Sequence, residues 1–190
     1  MQQEIYQHFS SLRTSFLEIF QGEIPSHVLE SYPGEKRARL HYTARLALIK
    51  SIQDKNFEDY KDLDIENHQF MKNDQQIKVS LSHADHKAMA TTTTDSLILS
   101  IGVDLEREDR EIKKGIKKFY IIDNDELDSP LELWCVKEAA FKAISPLYKG
   151  DKKLVLKDIT VKKSGAFTLE LNPNLNGHWK LERKSAEFHA

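Results

Sequence analysis

The sequence predicts an α+β fold built as two lobes. Two observations carry that expectation. A helix-periodic stretch followed by strand-like stretches occurs twice along the chain, and 190 residues that are 39% hydrophobic are enough to bury one core or two tightly packed ones. The division falls at about 1–102 and 103–190, and no sequence repeat relates the two halves.

In chain order, Ile5, Phe9, Leu12, Phe16 and Ile19 recur at helical spacing and predict an amphipathic helix over the first twenty residues. Pro33-Gly34 breaks the pattern. A second helix is expected from Lys36 to Ile52, with Leu40, Ala44, Ala47 and Leu48 on one side. The polar stretch from Lys55 to Asn73 reads as mostly loop. Ile77, Val79 and Leu81 alternate as in a strand, and "HKAMATTTT" and "SLILSIGVDLE" flank a turn at Thr94-Asp95-Ser96, so they are expected to pair as a hairpin. Residues 111 to 127 are helix-like and rich in lysine. Ile112, Ile116 and Phe119 form a packing face there, while Lys113, Lys114, Lys117 and Lys118 project elsewhere. A strong helix follows from Leu131 to Ile144, stopped by Ser145-Pro146. From Leu154 onward two or three antiparallel strands are expected, with turns at Lys163-Ser164-Gly165 and Asn172 to Gly177.

Composition narrows the function classes. The net charge of -2 supplies no global attraction to nucleic acid or to an anionic membrane surface. One cysteine, Cys135, cannot build an intramolecular disulfide framework and fits a reducing compartment. No apolar run approaches a bilayer-spanning length, and "MQQEIYQHFS" has neither the basic nor the apolar region of a secretion signal. A cytoplasmic, soluble protein is the expectation.

Two short segments carry the chemistry. In "SIGVDLERE" an apolar strand places Asp104 and Glu106 on one face, and two like charges so close need a cation between them. In "LWCVKEAAFKA" Glu138 and Lys142 stand one helical turn apart in a helix that is apolar nearly all round. An exposed pair of that spacing would be worth only about 0.3–0.5 kcal/mol, but charges on a buried helix need partners. Asp104, Glu106 and Glu138 together offer oxygen ligands to one hard cation such as Mg²⁺, with Mn²⁺ an alternative, and Lys142 lies where a phosphate of the same substrate could reach it. Trp134 and Cys135 read as packing residues, and Lys137 as a surface or salt-bridging lysine. No Gly-rich phosphate loop of the Walker type occurs.

Ile101-Gly102-Val103-Asp104-Leu105-Glu106, followed by Trp134-Cys135-Val136-Lys137-Glu138-Ala139-Ala140-Phe141-Lys142, resembles the motif pair of the Sfp-type 4'-phosphopantetheinyl transferases. "SLSHADHKAMA" is similar to that family's Ser-His segment, with Ser82 and His83 at the matching places. "KRARLHYTAR" is similar to a helix bearing basic residues for the 3'-phosphate of coenzyme A, with Arg37 and Arg45 in the matching places. The resemblance covers about residues 36 to 145. Ala44 stands where many relatives have glycine, and the two motifs lie closer together than is usual in this class.

The resemblance implies a pseudo-twofold fold of two similar lobes acting as one unit, with the site between them. It implies transfer of the phosphopantetheine arm of coenzyme A to a serine of an acidic apo-carrier protein, with release of 3',5'-ADP. Asp104, Glu106 and Glu138 would hold Mg²⁺; Asp104, Glu138 and Lys142 would serve catalysis. Arg37, Arg45, Ser82, His83 and Lys142 would bind coenzyme A, with no role for nucleic acid or membrane, and two lobes in one chain would work as a monomer. The alternative is a coenzyme A-binding regulatory module that has lost transferase activity.

Overall fold

The computed structural model describes residues 9–52, 69–72, 75–184 and 187–190. The chain divides into two compact units, Met1–Leu99 and Ser100–Ala190. Both are mixed α/β, and every strand pair is antiparallel.

The first unit runs β1 (Arg13–Glu18), α1 (Ser26–Ser31), α2 (Glu35–Ile52), β2 (Gln69–Lys72), β3 (Gln75–His83) and β4 (Lys87–Thr93). Its sheet has the order β1-β4-β3-β2. Helix α2 meets the predicted bounds closely and packs on β1, β3 and β4. Ala47 and Leu48 bury against Ile77, Val79 and Ala90, with Leu17 and Leu81 at the margin. The alternation of β3 puts Ile77 and Val79 in that core. The threonines of β4 suit its central position, where Thr91 lies opposite both Thr14 and Ser80.

Two expectations fail in this unit. The helix expected over the first twenty residues survives only at Phe9 and Ser10 where the chain is described, and Arg13–Glu18 form strand β1 instead; residues 1–8 lie outside the described part. Strand β1 supplies β4 with its second neighbour, Phe16 opposite Met89, and buries Ser15, whose hydroxyl donates to the Ala47 carbonyl. Hydrogen-bonding the free edge of β4 outweighs a weak helical periodicity. The expected hairpin is absent for the same reason: β4 already has β1 and β3 as partners. Residues 94–104 form no strand, and Leu97 and Leu99, expected inside, are 76% and 72% exposed. Most of the expected loop at 55–73 lies outside the described residues, but Gln69–Lys72 is the edge strand β2.

The second unit contains β5 (Leu105–Arg107), α3 (Lys114–Lys117), α4 (Pro130–Ile144), a 3₁₀ turn (Leu156–Asp158), β6 (Ile159–Val161), β7 (Ala166–Leu169), β8 (Asn176–His178), β9 (Glu182–Lys184) and β10 (Glu187–His189). Two three-stranded sheets form, β5-β10-β9 and β6-β7-β8. The Lys163-Ser164-Gly165 turn joins β6 to β7 as expected, with Gly165 at φ +87°, a backbone region that favours glycine. Helix α4 begins at Ser129, whose hydroxyl accepts from the Glu132 N–H at 3.3 Å, and Pro130 occupies the first turn. Its Leu133, Val136, Ala140 and Ile144 join Ile159, Val161, Phe167 and Leu169 in the core.

The lysine-rich helix expected over 111–127 shrinks to the single turn α3. Gly115 lowers its helix propensity, and the apolar face is shorter than expected. Ile112 and Ile116 pack on the core, but Phe119 is 62% exposed and Tyr120 takes the buried place. The following segment is tied down by polar contacts instead. Asp125 accepts from the N–H groups of Ile122 (3.0 Å) and Val161 (3.1 Å), and its carboxylate pairs with Lys137 at 2.7 Å. Lys137 also donates to the Tyr120 carbonyl at 2.6 Å and has no exposed surface. Of the two readings the sequence offers for Lys137, surface or salt-bridging, the second holds: it is a buried, ion-paired clamp between α4 and the 120–126 segment.

Lys137→Met should destabilise the protein by about 3–5 kcal/mol, because it strands the buried Asp125 charge. Adding Asp125→Asn removes that charge while keeping an acceptor oxygen, and should recover part of the loss. Denaturant unfolding of the single and double variants measures both.

Candidate functional site

The site in the second unit starts from a glycine. A Cβ on Gly102 would lie 1.8 Å from the Ala139 carbonyl oxygen and 2.7 Å from the Ala143 nitrogen. The segment leading into β5 therefore lies directly on the backbone of α4, over the turn that carries Glu138 and Lys142. Ile101, Val103 and Leu105 are buried, and so are the two acids. The Asp104 N–H donates to the Ala190 carbonyl at 2.9 Å, and the Ala190 N–H donates back at 3.1 Å, extending the β5–β10 pairing by one residue. Cys135 packs beneath, its thiol donating to the Asp104 carbonyl at 3.6 Å, and burial pushes its pKa up. It is a packing residue and no thiolate nucleophile.

From α4 the Lys142 ammonium donates to the Val103 carbonyl at 2.8 Å and to Asp104 Oδ1 at 2.9 Å. Glu106 Oε1 accepts from the Trp134 indole N–H at 2.9 Å and pairs with Arg110. The Arg110 guanidinium lies 5.3 Å from the Trp134 ring centroid, and Tyr120 meets the same ring edge-on at 5.1 Å. Trp134 thus packs and also orients an acid. Burial raises the carboxyl pKa of Glu138, and the Asp104 charge adds to it. Burial raises Glu106 too; the Arg110 hydrogen bond opposes this and the Asp104 charge reinforces it. Asp104, Glu106, Glu138, Lys142 and Arg110 form one electrostatic group.

The donor set fits a hard divalent cation by its chemistry: carboxylate oxygens from two elements, for an ion commonly held by one or two carboxylates with water and phosphate completing its shell. Among the described residues no three His, Cys, Asp or Glu side chains stand as a ready-made metal site. Two of the three acids carry Lys142 and Arg110 instead. Arg110 escaped the sequence reading, although its position four residues after Glu106 in "EREDR" was a visible signal.

The other predicted residues lie in the first unit. Arg37 and Arg45 are on α2; Ser82 is buried on β3, and His83 ends that strand in an exposed position. Arg37, Arg45 and His83 act electrostatically on a residue the sequence reading did not single out, His41, which lies one helical turn from each arginine. Its ring stacks on Tyr32 at 4.2 Å between centroids. Burial lowers its pKa from 6.5 to about 4, and the charges of Arg45, His83 and Arg37 add to the shift. The structure thus brings Arg37, Arg45 and His83 to one locus of concentrated positive potential.

The acidic centre formed by the Asp104–Glu106 segment and helix α4 thus lies within residues 100–190. That same stretch, residues 100–190, matches the family model of the 4'-phosphopantetheinyl transferase superfamily. No curated protein matches the chain. Among the described residues no helix is long and apolar enough to cross a membrane.

His41 generates a pH prediction. Its proton is held less tightly in the folded chain than in the unfolded one, so stability falls as pH drops through the window from 6.5 to about 4 and levels off below it. Arg45→Ala should raise the His41 pKa while burial, the larger cause, keeps it below 6.5. An NMR titration of the histidine ring protons reads both values.

Proposed function

We propose that the protein is an Sfp-type 4'-phosphopantetheinyl transferase. It moves the phosphopantetheine arm of coenzyme A to a serine of an acidic apo-carrier protein and releases 3',5'-ADP. The observation that carries this reading is the close approach at Gly102, which brings the Asp104-Leu105-Glu106 segment onto the turn of α4 between Glu138 and Lys142, inside the stretch that matches the superfamily.

In this reading Asp104, Glu106 and Glu138 hold Mg²⁺, or Mn²⁺ in its place. When bound, the cation neutralises the pyrophosphate and stabilises charge in the transition state. The serine oxygen forms a bond to the β-phosphorus while the bond from that phosphorus to the oxygen of 3',5'-ADP breaks. Glu138 accepts the serine proton, directly or through water. Lys142 offers its charge to a phosphate oxygen. Arg37, Arg45 and His83 hold the 3'-phosphate, the arginine forks suiting bidentate contact, and Ser82 donates a hydrogen bond to a phosphate. Lys113, Lys114 and Lys118, exposed around the α3 turn beside exposed Phe119, attract the acidic carrier and act mainly on its association rate. Both units serve one reaction, in a cytoplasmic monomer.

The test is the mass of a purified apo-carrier protein after incubation with the chain, coenzyme A and Mg²⁺. A gain of one phosphopantetheine arm is expected, and Asp104→Ala and Glu138→Ala should each abolish it in a folded protein. Tight coenzyme A binding with an unchanged carrier would identify a binding module instead. Arg45→Ala and His83→Ala should weaken coenzyme A more than 3'-dephospho-coenzyme A, since only the former carries the group they contact. Equal losses on the two substrates would remove that assignment.

A further inference from the structure

We infer that Arg110 is a resident counter-ion of the acidic centre which a divalent cation must displace, so that the cation loads together with a phosphate-bearing substrate and only weakly before it. The inference rests on reading Asp104, Glu106 and Glu138 as cation ligands, and goes beyond that reading in giving the order of loading and the residue that sets it.

Four observations support it. Arg110 is ion-paired with Glu106, the acid on strand β5, and the partner oxygen, Oε1, also accepts from the Trp134 indole. The guanidinium rests over the Trp134 ring, so it is held in place by stacking as well as by charge. Lys142 stands on Asp104 in the same way. Three carboxylates and two cations leave this group with a formal charge of about one negative unit, a weak attraction for a free divalent ion. The two cations differ in freedom: the Arg110 side chain is 39% exposed and the Lys142 side chain 23%. Arg110 can therefore leave towards solvent without disturbing the core, while Lys142 is also bonded to the Val103 carbonyl. Once released, a guanidinium has the fork geometry that matches a phosphate. A phosphate that engages Arg110 lowers the cost of opening Glu106, and a cation at Glu106 frees Arg110 for the phosphate. The two ligands must then favour each other by the same factor.

The probe is Mn²⁺, counted by electron paramagnetic resonance with the whole chain, alone and with coenzyme A after correction for Mn²⁺ bound by free coenzyme A. Wild type should bind Mn²⁺ weakly alone and at least about fivefold more tightly with coenzyme A. Arg110→Gln should bind Mn²⁺ alone at least about fivefold more tightly than wild type, and gain less from coenzyme A. Arg107→Gln, which removes the same formal charge from a pair with Asp109, should leave Mn²⁺ affinity close to wild type. A second readout needs no titration of affinity. With Trp179→Phe leaving Trp134 as the sole indole, adding Mn²⁺ and coenzyme A should shift its emission as Arg110 leaves the ring, and this shift should vanish in Arg110→Gln. Arg110→Lys, which keeps a charge but not the fork, guards against misfolding of the glutamine variant and should fall between it and wild type. Equal Mn²⁺ affinity in wild type and Arg110→Gln, with Asp104→Ala abolishing binding in both, would overturn the inference and leave the ligand reading standing. Mn²⁺ affinity indifferent to Asp104→Ala would overturn both.

Discussion

The second unit depends on a backbone contact that only a residue without a side chain allows. At Gly102 the chain lies on the Ala139 carbonyl and the Ala143 nitrogen of α4, closer than any Cβ could be accommodated. Backbone cannot rotate out of the way as a side chain can, so this approach fixes the distance between the strand and the helix. The consequences follow outward. Val103 and Asp104 come within reach of Lys142, Cys135 fits beneath the Asp104 carbonyl, and Asp104 and Glu106 share one low-dielectric environment with Glu138.

Burial raises the pKa values of Glu106 and Glu138, the Asp104 charge adds to both, and the protein offsets this with cations drawn from different parts of the chain. Lys142 comes from the helix and Arg110 from the loop after β5, the latter steadied by the Trp134 ring. Lys137 belongs to a separate system on the other side of the same helix. It neutralises Asp125, which in turn collects backbone N–H groups of the 120–126 segment and of β6. Adjacent residues 137 and 138 on α4 thus divide the work, one securing the helix to its surroundings and the other facing the acidic centre. The Tyr120–Trp134 contact joins the two systems.

Much of the second unit was legible in the sequence. Helix α4 over Leu131 to Ile144, the Lys163-Ser164-Gly165 turn and the nearness of Asp104 to Lys142 follow from local pattern and motif spacing. What local pattern could not reveal was competition for partners. Strand β1 looks helical on its own and becomes a strand because β4 has an open edge. The apolar run from Leu97 to Val103 looks like an interior strand, yet its first part is exposed and its last part lies on a helix. Tyr120 takes the buried place expected of Phe119 because it can hydrogen-bond from within the core, its hydroxyl donating to the Pro130 carbonyl at 2.9 Å. Arg110 and His41 were passed over, and the partner of Lys137 was not foreseen, because their significance comes from long-range or cross-turn partners: Glu106 with Trp134, the Arg37–Arg45–His83 group, and Asp125.

The central claim is that the approach at Gly102 is what delivers Asp104 to Lys142. A double-mutant cycle of Gly102→Ala and Lys142→Met, read by denaturant unfolding, tests it most directly. If the alanine pushes the strand off the helix, the Lys142 contacts are already lost in that background, and Lys142→Met should cost little more there. The account predicts a coupling of about 1 kcal/mol or more between the two substitutions. Costs that add to within about 0.3–0.5 kcal/mol would contradict it, because Lys142 would then reach Asp104 whether or not the strand rests on α4.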